Sequence, residues 1–138
     1  MIAYLDASVV LRLILGEPGR LAEWPKIREA VASALAEVEC LRTLDRLAFA
    51  GALTSDELAE RRSAVYTLLE AVELVDVDRT VLRRASEPFS TPLGTLDAIH
   101  LATAVAWRDR RQVSLTMATH DKTLARAARA AGLGVIGG

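Results

Sequence analysis

The sequence predicts an α/β fold, with a central parallel sheet of four to five strands and helices on both faces. Three observations predict it. Short apolar runs alternate along the chain with longer segments of helical periodicity, the pattern of successive βαβ units. Asp6 and Asp121, residues suited to starting helices, follow closely on two of the apolar runs. The chain has 138 residues, 51% hydrophobic and 25% charged, which is the length and composition of one globular domain. Residues 1–138 are therefore expected to form a single domain.

Ile2–Leu5 is a short apolar run that ends at Asp6 and reads as a strand. Val9, Val10, Leu13 and Ile14 recur at helical spacing, and Gly16 with Pro18 ends that helix. Ala30–Ser33 reads as a short strand. From Ala34 to about Phe49 the pattern is helical, with Leu41, Leu44, Leu47 and Ala48 inward. Thr54-Ser55-Asp56-Glu57 opens a further helix that runs to about Ala71. Val72–Val77 reads as a strand and Arg79–Glu87 as a short helix. Pro88–Gly94, with two prolines and a glycine, is a loop. Thr95–Trp107 is a helix apolar nearly all round. Val113–Thr119 is a strand, Lys122–Ala131 a helix closed by Gly132, and Leu133–Ile136 a last strand.

Composition removes several function classes. One cysteine, Cys40, allows neither an intrachain disulfide nor a cysteine-based zinc site, and fits a reducing cytoplasm. The longest stretch without Asp, Glu, Lys or Arg is Ala98–Trp107, ten residues, about half of what a membrane helix needs. The opening MIAYLD carries no basic leader, so no secretory signal is expected. A net charge of −1 gives no bulk support for nucleic-acid binding, so such a role must rest on local features. No G-x-G-x-x-G and no Walker A pattern is present.

In open α/β folds ligands bind beyond the carboxyl ends of the strands. Asp6 directly follows the first strand, and Asp121 follows the Val113–Thr119 strand by two residues. Asp97 lies in the first turn of the helix after the Pro/Gly loop, and Glu39 in the first turns of its own helix. Each also has a plain structural reading. Asp6 and Asp121 suit helix N-caps, Asp97 suits the helix dipole behind a Thr95 cap, and Glu39 suits a surface pair with Arg42. Asp97 resists its plain reading most, because it heads the longest uncharged stretch, on a helix that must be mostly buried. A buried carboxylate neutralises, pairs or binds a metal. Several carboxylates gathered at one strand edge repel each other, and a hard divalent cation such as Mg²⁺ or Mn²⁺ resolves that repulsion through oxygen ligands.

The blocks YLDASVV (4–10), SALAEVECLR (33–42), GTLDAIHLATA (94–104) and THDKTLARAARAAGLGV (119–135) resemble the PIN-domain ribonucleases, and more narrowly the VapC toxins of type II toxin–antitoxin pairs. LDAIHLATA is the most specific of them. The resemblance implies a three-layer PIN sandwich, and an acidic quartet at Asp6, Glu39, Asp97 and Asp121 that holds Mg²⁺ or Mn²⁺ for RNA hydrolysis. It further implies 5′-phosphate and 3′-hydroxyl products from a tRNA or rRNA, and hence inhibition of translation. The expected partners are a cognate small antitoxin and a second copy of the chain, giving a homodimer, or a heterotetramer or larger assembly with antitoxin. Ser8 and Thr119 match small hydroxyl residues that line the site. Glu37 competes with Glu39 for the second acid, and since residues two apart face different sides of a helix, only one can enter the site. The family pattern of acid, apolar residues and Arg favours Glu39.

The remaining signals are weaker. His100, three residues after Asp97, suits either a D-x-x-H metal pair or, as the resemblance implies, a packing histidine. Asp76-Val77-Asp78 suits an N-cap better than a metal pair. Arg12, Arg42, Lys122 and Arg126 are candidate RNA contacts, as are the arginines at 108, 110 and 111; the alternative is a solvated surface on an arginine-rich chain. The rival functions are a PIN-like binding module that cuts nothing and an RNA-processing or DNA nuclease of the same fold.

Overall fold

The computed structural model describes residues 1–137. Its elements in chain order are β1 (Ile2–Leu5), α1 (Ala7–Ile14), a 3₁₀ turn (Trp24–Lys26), β2 (Glu29–Ser33), α2 (Leu35–Phe49), α3 (Ser55–Glu70) and β3 (Val72–Val75). They continue with α4 (Arg79–Ala85), α5 (Thr95–Arg111), β4 (Thr116–Ala118), α6 (Lys122–Ala130) and β5 (Gly134–Ile136). The five strands form one sheet in the order β3-β2-β1-β4-β5. Every pairing is parallel, with Tyr4 opposite Val31, Leu5 opposite Ala118, Ser33 opposite Val75 and Met117 opposite Val135.

Side chains alternate across β1, and that alternation builds two cores. Ala3 and Leu5 face the layer of α1, α2 and α3, where they pack with Val9, Val10, Cys40, Leu44 and Val65. Tyr4 faces the other layer, among Leu101, Trp107, Met117 and Leu124 of α5, β4 and α6. The predicted sandwich of a parallel sheet between two helical layers is what the chain forms.

Several boundaries differ from the sequence expectation, each for a local reason. β3 ends at Val75, not Val77, because the chain turns there into the cap of α4, where Asp78 Oδ1 accepts from Val81 N at 2.9 Å. α4 stops at Ala85, short of Glu87. α5 runs one turn beyond Trp107 to Arg111, held there by the Arg111 guanidinium over the Trp107 ring at 4.7 Å and by Arg108 Nη1 donating to Ala131 O at 2.7 Å. Gln112, at φ 54°, then closes the helix in the left-handed region, and β4 shrinks to Thr116–Ala118. Thr95 does not cap α5: Gly94 occupies the N-cap position and Thr95 is the first helical residue. Gly132, at φ +87°, ends the α6 segment as its sequence position suggested.

Candidate active site at the switch point of the sheet

The connection from β1 leads to β2 on one side of it, while β4 lies on the other side, so β1 and β4 flank the point where strand order reverses. A parallel sheet opens a crevice at the carboxyl ends of such strands. Asp6 stands at that point, its backbone N–H donating to Ala118 O at 3.0 Å. The cleft above it is lined by Asp6, Ser8, Glu39, Asp97 and Asp121, with Arg42, Thr43 and Arg46 along α2 and an apolar lip that includes Val38 and Leu96. A roomier hollow, between Arg108, Gln112 and Gly134, lies at the opposite ends of the strands and carries a single carboxylate, Asp109.

Each acid reaches the cleft differently. Asp6 is 7% exposed, and its Oδ2 accepts from Ser8 Oγ and from Thr119 Oγ1, both at 2.8 Å. The same hydroxyls accept from the β4–α6 turn, Ser8 Oγ from His120 N at 3.1 Å and Thr119 Oγ1 from Asp121 N at 3.0 Å. Ser8 and Thr119 thus lock the loop after β1 to the loop after β4, with Asp6 as the common acceptor. Asp121 is the N-cap of α6, its Oδ1 accepting from Leu124 N at 2.9 Å, so the capping role read from sequence coexists with its place at the cleft. Glu39 Oε1 lies 2.6 Å from Nε2 of His100, which is buried. The surface pair with Arg42 does not form. Arg42 instead binds Asp45 at 2.9 Å, because the cleft-facing side of α2 turns Glu39 onto the buried donor of α5. Glu37 is not among the residues that line the cleft.

Asp97, the third residue of α5, has no side-chain hydrogen-bond partner among the described residues. Its carboxyl is held above the usual range, first by burial and then by the charges of Asp121 and Asp6; Glu39 adds to the rise, while His100 opposes it. Asp97 therefore stands in the field of the other three acids. Among the described residues, no three carboxyl, imidazole or thiol groups are drawn close enough to make a finished ion cage. Asp6, Glu39 and Asp121 each have an oxygen committed to the protein. The donor set still fits a hard divalent cation: all four groups are carboxylates, each committed group keeps a second oxygen, and Asp97 has both oxygens free of side-chain hydrogen bonds among the described residues.

The arginine expectations divide. Arg42 lines the cleft, and Arg46 joins it along the same stripe. Arg12 Nη1 donates to Gly19 O at 3.3 Å and steadies the turn after α1. Lys122 and Arg126 are exposed on α6, beginning one residue after Asp121. The arginines at 108, 110 and 111 sit at the far end of α5 from Asp97, where Arg108 and Arg111 serve local structure. His100 is the residue the sequence reading undervalued. It is a buried packing histidine, 1% exposed, as the resemblance implied, and outside the cleft lining, but it is also bonded at both ring nitrogens: its Nδ1 is 2.7 Å from the Tyr4 hydroxyl while its Nε2 holds Glu39. The signal was present, since a histidine one turn from a buried acid needs partners for both ring nitrogens. Burial alone would lower the imidazole pKa; the Glu39 hydrogen bond and the charges of Glu39, Asp6 and Asp97 outweigh it and raise it.

Comparison with known proteins agrees with this architecture. The PIN domain model matches residues 3–130. Ribonuclease VapC46 of Mycobacterium tuberculosis is 35% identical, over 96% of this chain and 95% of its own. Among solved structures, FitAB bound to an IR36 DNA fragment superposes with a TM-score of 0.70 at 19% identity, covering 98% of this chain and 93% of that one. VapBC2 from Rickettsia felis, bound to a DNA fragment from its promoter, does so with a TM-score of 0.65 at 15% identity, covering 98% and 97%. The chain belongs to the PIN-domain family, in its VapC branch of ribonucleases.

Proposed function

We propose that this chain is a divalent-metal-dependent endoribonuclease, the toxin of a type II toxin–antitoxin pair, which hydrolyses phosphodiester bonds in structured RNA. The RNA is a tRNA or rRNA, and its cleavage in the cytoplasm stops translation. The observation that carries this reading is the gathering of Asp6, Glu39, Asp97 and Asp121 about one cleft at the switch point, with Asp97 raised by its own burial and by the charge of the others.

A bound Mg²⁺ or Mn²⁺ would supply a water of lowered pKa and neutralise charge that builds on the scissile phosphate. Asp6, Glu39 and Asp97 are the core ligands in this reading, and Asp121 completes the set directly or through water. Ser8 and Thr119 fix the Asp6 carboxylate. Arg42 and Arg46 line the cleft where a phosphate backbone would enter, and Lys122 and Arg126 extend a basic track along α6 beside Asp121. No helix among the described residues is long and apolar enough to cross a membrane. Residues 1–138 would act as one PIN unit, regulated by a small antitoxin and paired as a homodimer or, with antitoxin, a heterotetramer or larger assembly; a toxin–antitoxin complex from Klebsiella pneumoniae is among the solved structures that share the fold.

Expression of the chain alone in a bacterium, followed by sequencing of RNA ends, tests the proposal. The wild type should arrest growth and leave discrete new 5′-phosphate ends in tRNA or rRNA. Asp97→Asn should be soluble and leave neither. A folded Asp97→Asn chain that arrests growth with the same RNA ends would overturn the assignment. Arrest without new RNA ends would favour a non-cutting binding module, and breaks in DNA the nuclease alternative.

A further inference from the structure

Tyr4, His100 and Glu39 form a hydrogen-bonded chain across three elements that each deliver an acid to the cleft. Tyr4 lies on β1, two residues before Asp6, and is fully buried. His100 lies on α5, one turn after Asp97, and is 1% exposed. Glu39 lies on α2. The Tyr4 hydroxyl is 2.7 Å from His100 Nδ1, and His100 Nε2 is 2.6 Å from Glu39 Oε1. The Tyr4 and His100 rings meet edge-on, with centroids 5.9 Å apart and planes at 72°.

The direction of the second bond does not depend on the charge of the ring. A carboxylate only accepts, so Nε2 carries a proton and donates to Glu39 in either state. If the ring is neutral, Nδ1 is then the acceptor and the Tyr4 hydroxyl donates to it. The chain therefore fixes one oxygen of Glu39 and leaves Oε2 to meet a cation. We propose that His100 is a positioning residue: it holds Glu39 in the orientation in which its second oxygen serves the divalent ion, and Tyr4 in turn fixes the imidazole. This rests on the metal-dependent reading above. It explains why a histidine occupies a core helix where an aliphatic residue would pack without partners, and why Glu39, on a partly exposed helix, reaches the cleft in a single bonded orientation. Groups that orient a metal ligand typically change metal affinity by about 10–100-fold when removed.

The test is Mn²⁺ affinity of the purified full chain, read from the free-ion electron paramagnetic resonance signal, with circular dichroism confirming that each variant is folded. His100→Met keeps the bulk and removes both ring nitrogens; it should weaken Mn²⁺ binding by about 10-fold or more. His100→Gln places an amide N–H near the position of Nε2 and should recover most of that loss, which a merely structural role would not give. In a Glu39→Gln background, His100→Met should change Mn²⁺ affinity no further, since both act through one oxygen. If His100→Met does not fold, Tyr4→Phe, which deletes one hydroxyl, carries the same comparison and should weaken Mn²⁺ binding several-fold. Wild-type Mn²⁺ affinity in folded His100→Met, or in Tyr4→Phe where that variant stands in, overturns the positioning role while loss of affinity in Glu39→Gln keeps the metal site. A wild-type chain that binds no Mn²⁺ overturns both.

Discussion

Glu37 and Glu39 stand two residues apart on α2, and the cleft receives only Glu39. The two side chains point about 200° apart on a helix, so one substitution is a control for the other. Glu39→Gln should reduce RNA cleavage by more than the roughly 10–100-fold that loss of an outer partner costs, because a ligand oxygen loses its charge. Glu37→Gln should leave cleavage within a few-fold and stability within about 0.5 kcal/mol, as surface changes do. Single-turnover cleavage by both variants checks this, and the reverse pattern would reassign the second acid. Asp97 makes a different prediction, because it lacks the hydrogen bond that steadies Glu39. Its folded-state pKa is raised, so the metal-free protein loses stability as pH rises from the ordinary carboxylate range through the raised value, and the penalty is complete above it. Asp97→Asn removes that penalty. Melted in EDTA, the variant should unfold above the wild type at pH 7, and the gap should close below the ordinary Asp pKa. Equal melting temperatures across that range would mean that the acids do not oppose one another. At this scale the sequence showed which acids to suspect, since each follows a strand or opens a helix. It did not show how they are held, because the Ser8, Thr119 and His100 contacts join residues far apart in the chain and leave no periodic trace.

The elements owe their ends to local chemistry that is largely readable. α3 begins at a full capping box: Thr54 Oγ1 accepts from Glu57 N at 3.1 Å, and Glu57 Oε1 accepts from Thr54 N at 2.9 Å. Thr54→Ala should cost about 1 kcal/mol, seen as a fall of roughly 4 °C in melting temperature. The backbone hydrogen bond from Thr54 holds the Glu57 carboxyl below its usual range. A depressed acid stabilises above its unfolded pKa and loses that contribution as pH falls through its folded value; Thr54→Ala keeps the backbone N–H that holds the carboxylate, so it is the deficit of Glu57→Ala that should shrink in acid. A constant deficit from neutral pH to below the folded Glu57 value would contradict the box. Where boundaries were misread, the side chain that decides them lies elsewhere. α5 gains its last turn from Arg111 stacking on Trp107 and from the Ala131 carbonyl that Arg108 meets, neither of which helical periodicity registers. β4 is only Thr116–Ala118 because the chain spends 112–115 returning from that longer helix. The 3₁₀ turn at Trp24–Lys26 was marked only by Pro25.

Across the whole molecule, topology does what no segment could. Asp6, Glu39, Asp97 and Asp121 come from four separate stretches of sequence, and they converge because β1 sits between β2 and β4. α1 and α2 on one face of the sheet and α5 and α6 on the other then close on its carboxyl edge. The alternation of strands and helices was enough to anticipate a parallel sheet between helical layers. The order of its strands was not readable, since three- to five-residue strands carry too little pattern to say which lies beside which. The central claim is that this convergence serves a divalent ion at which RNA is cut. The most direct measurement is single-turnover cleavage of cellular tRNA and rRNA by the purified chain across a Mn²⁺ titration, wild type against Asp97→Asn. Cleavage should rise with Mn²⁺ over the same concentrations that raise the melting temperature, and it should vanish in EDTA and in the variant. Cleavage that persists in EDTA, or that proceeds equally in folded Asp97→Asn, would contradict it.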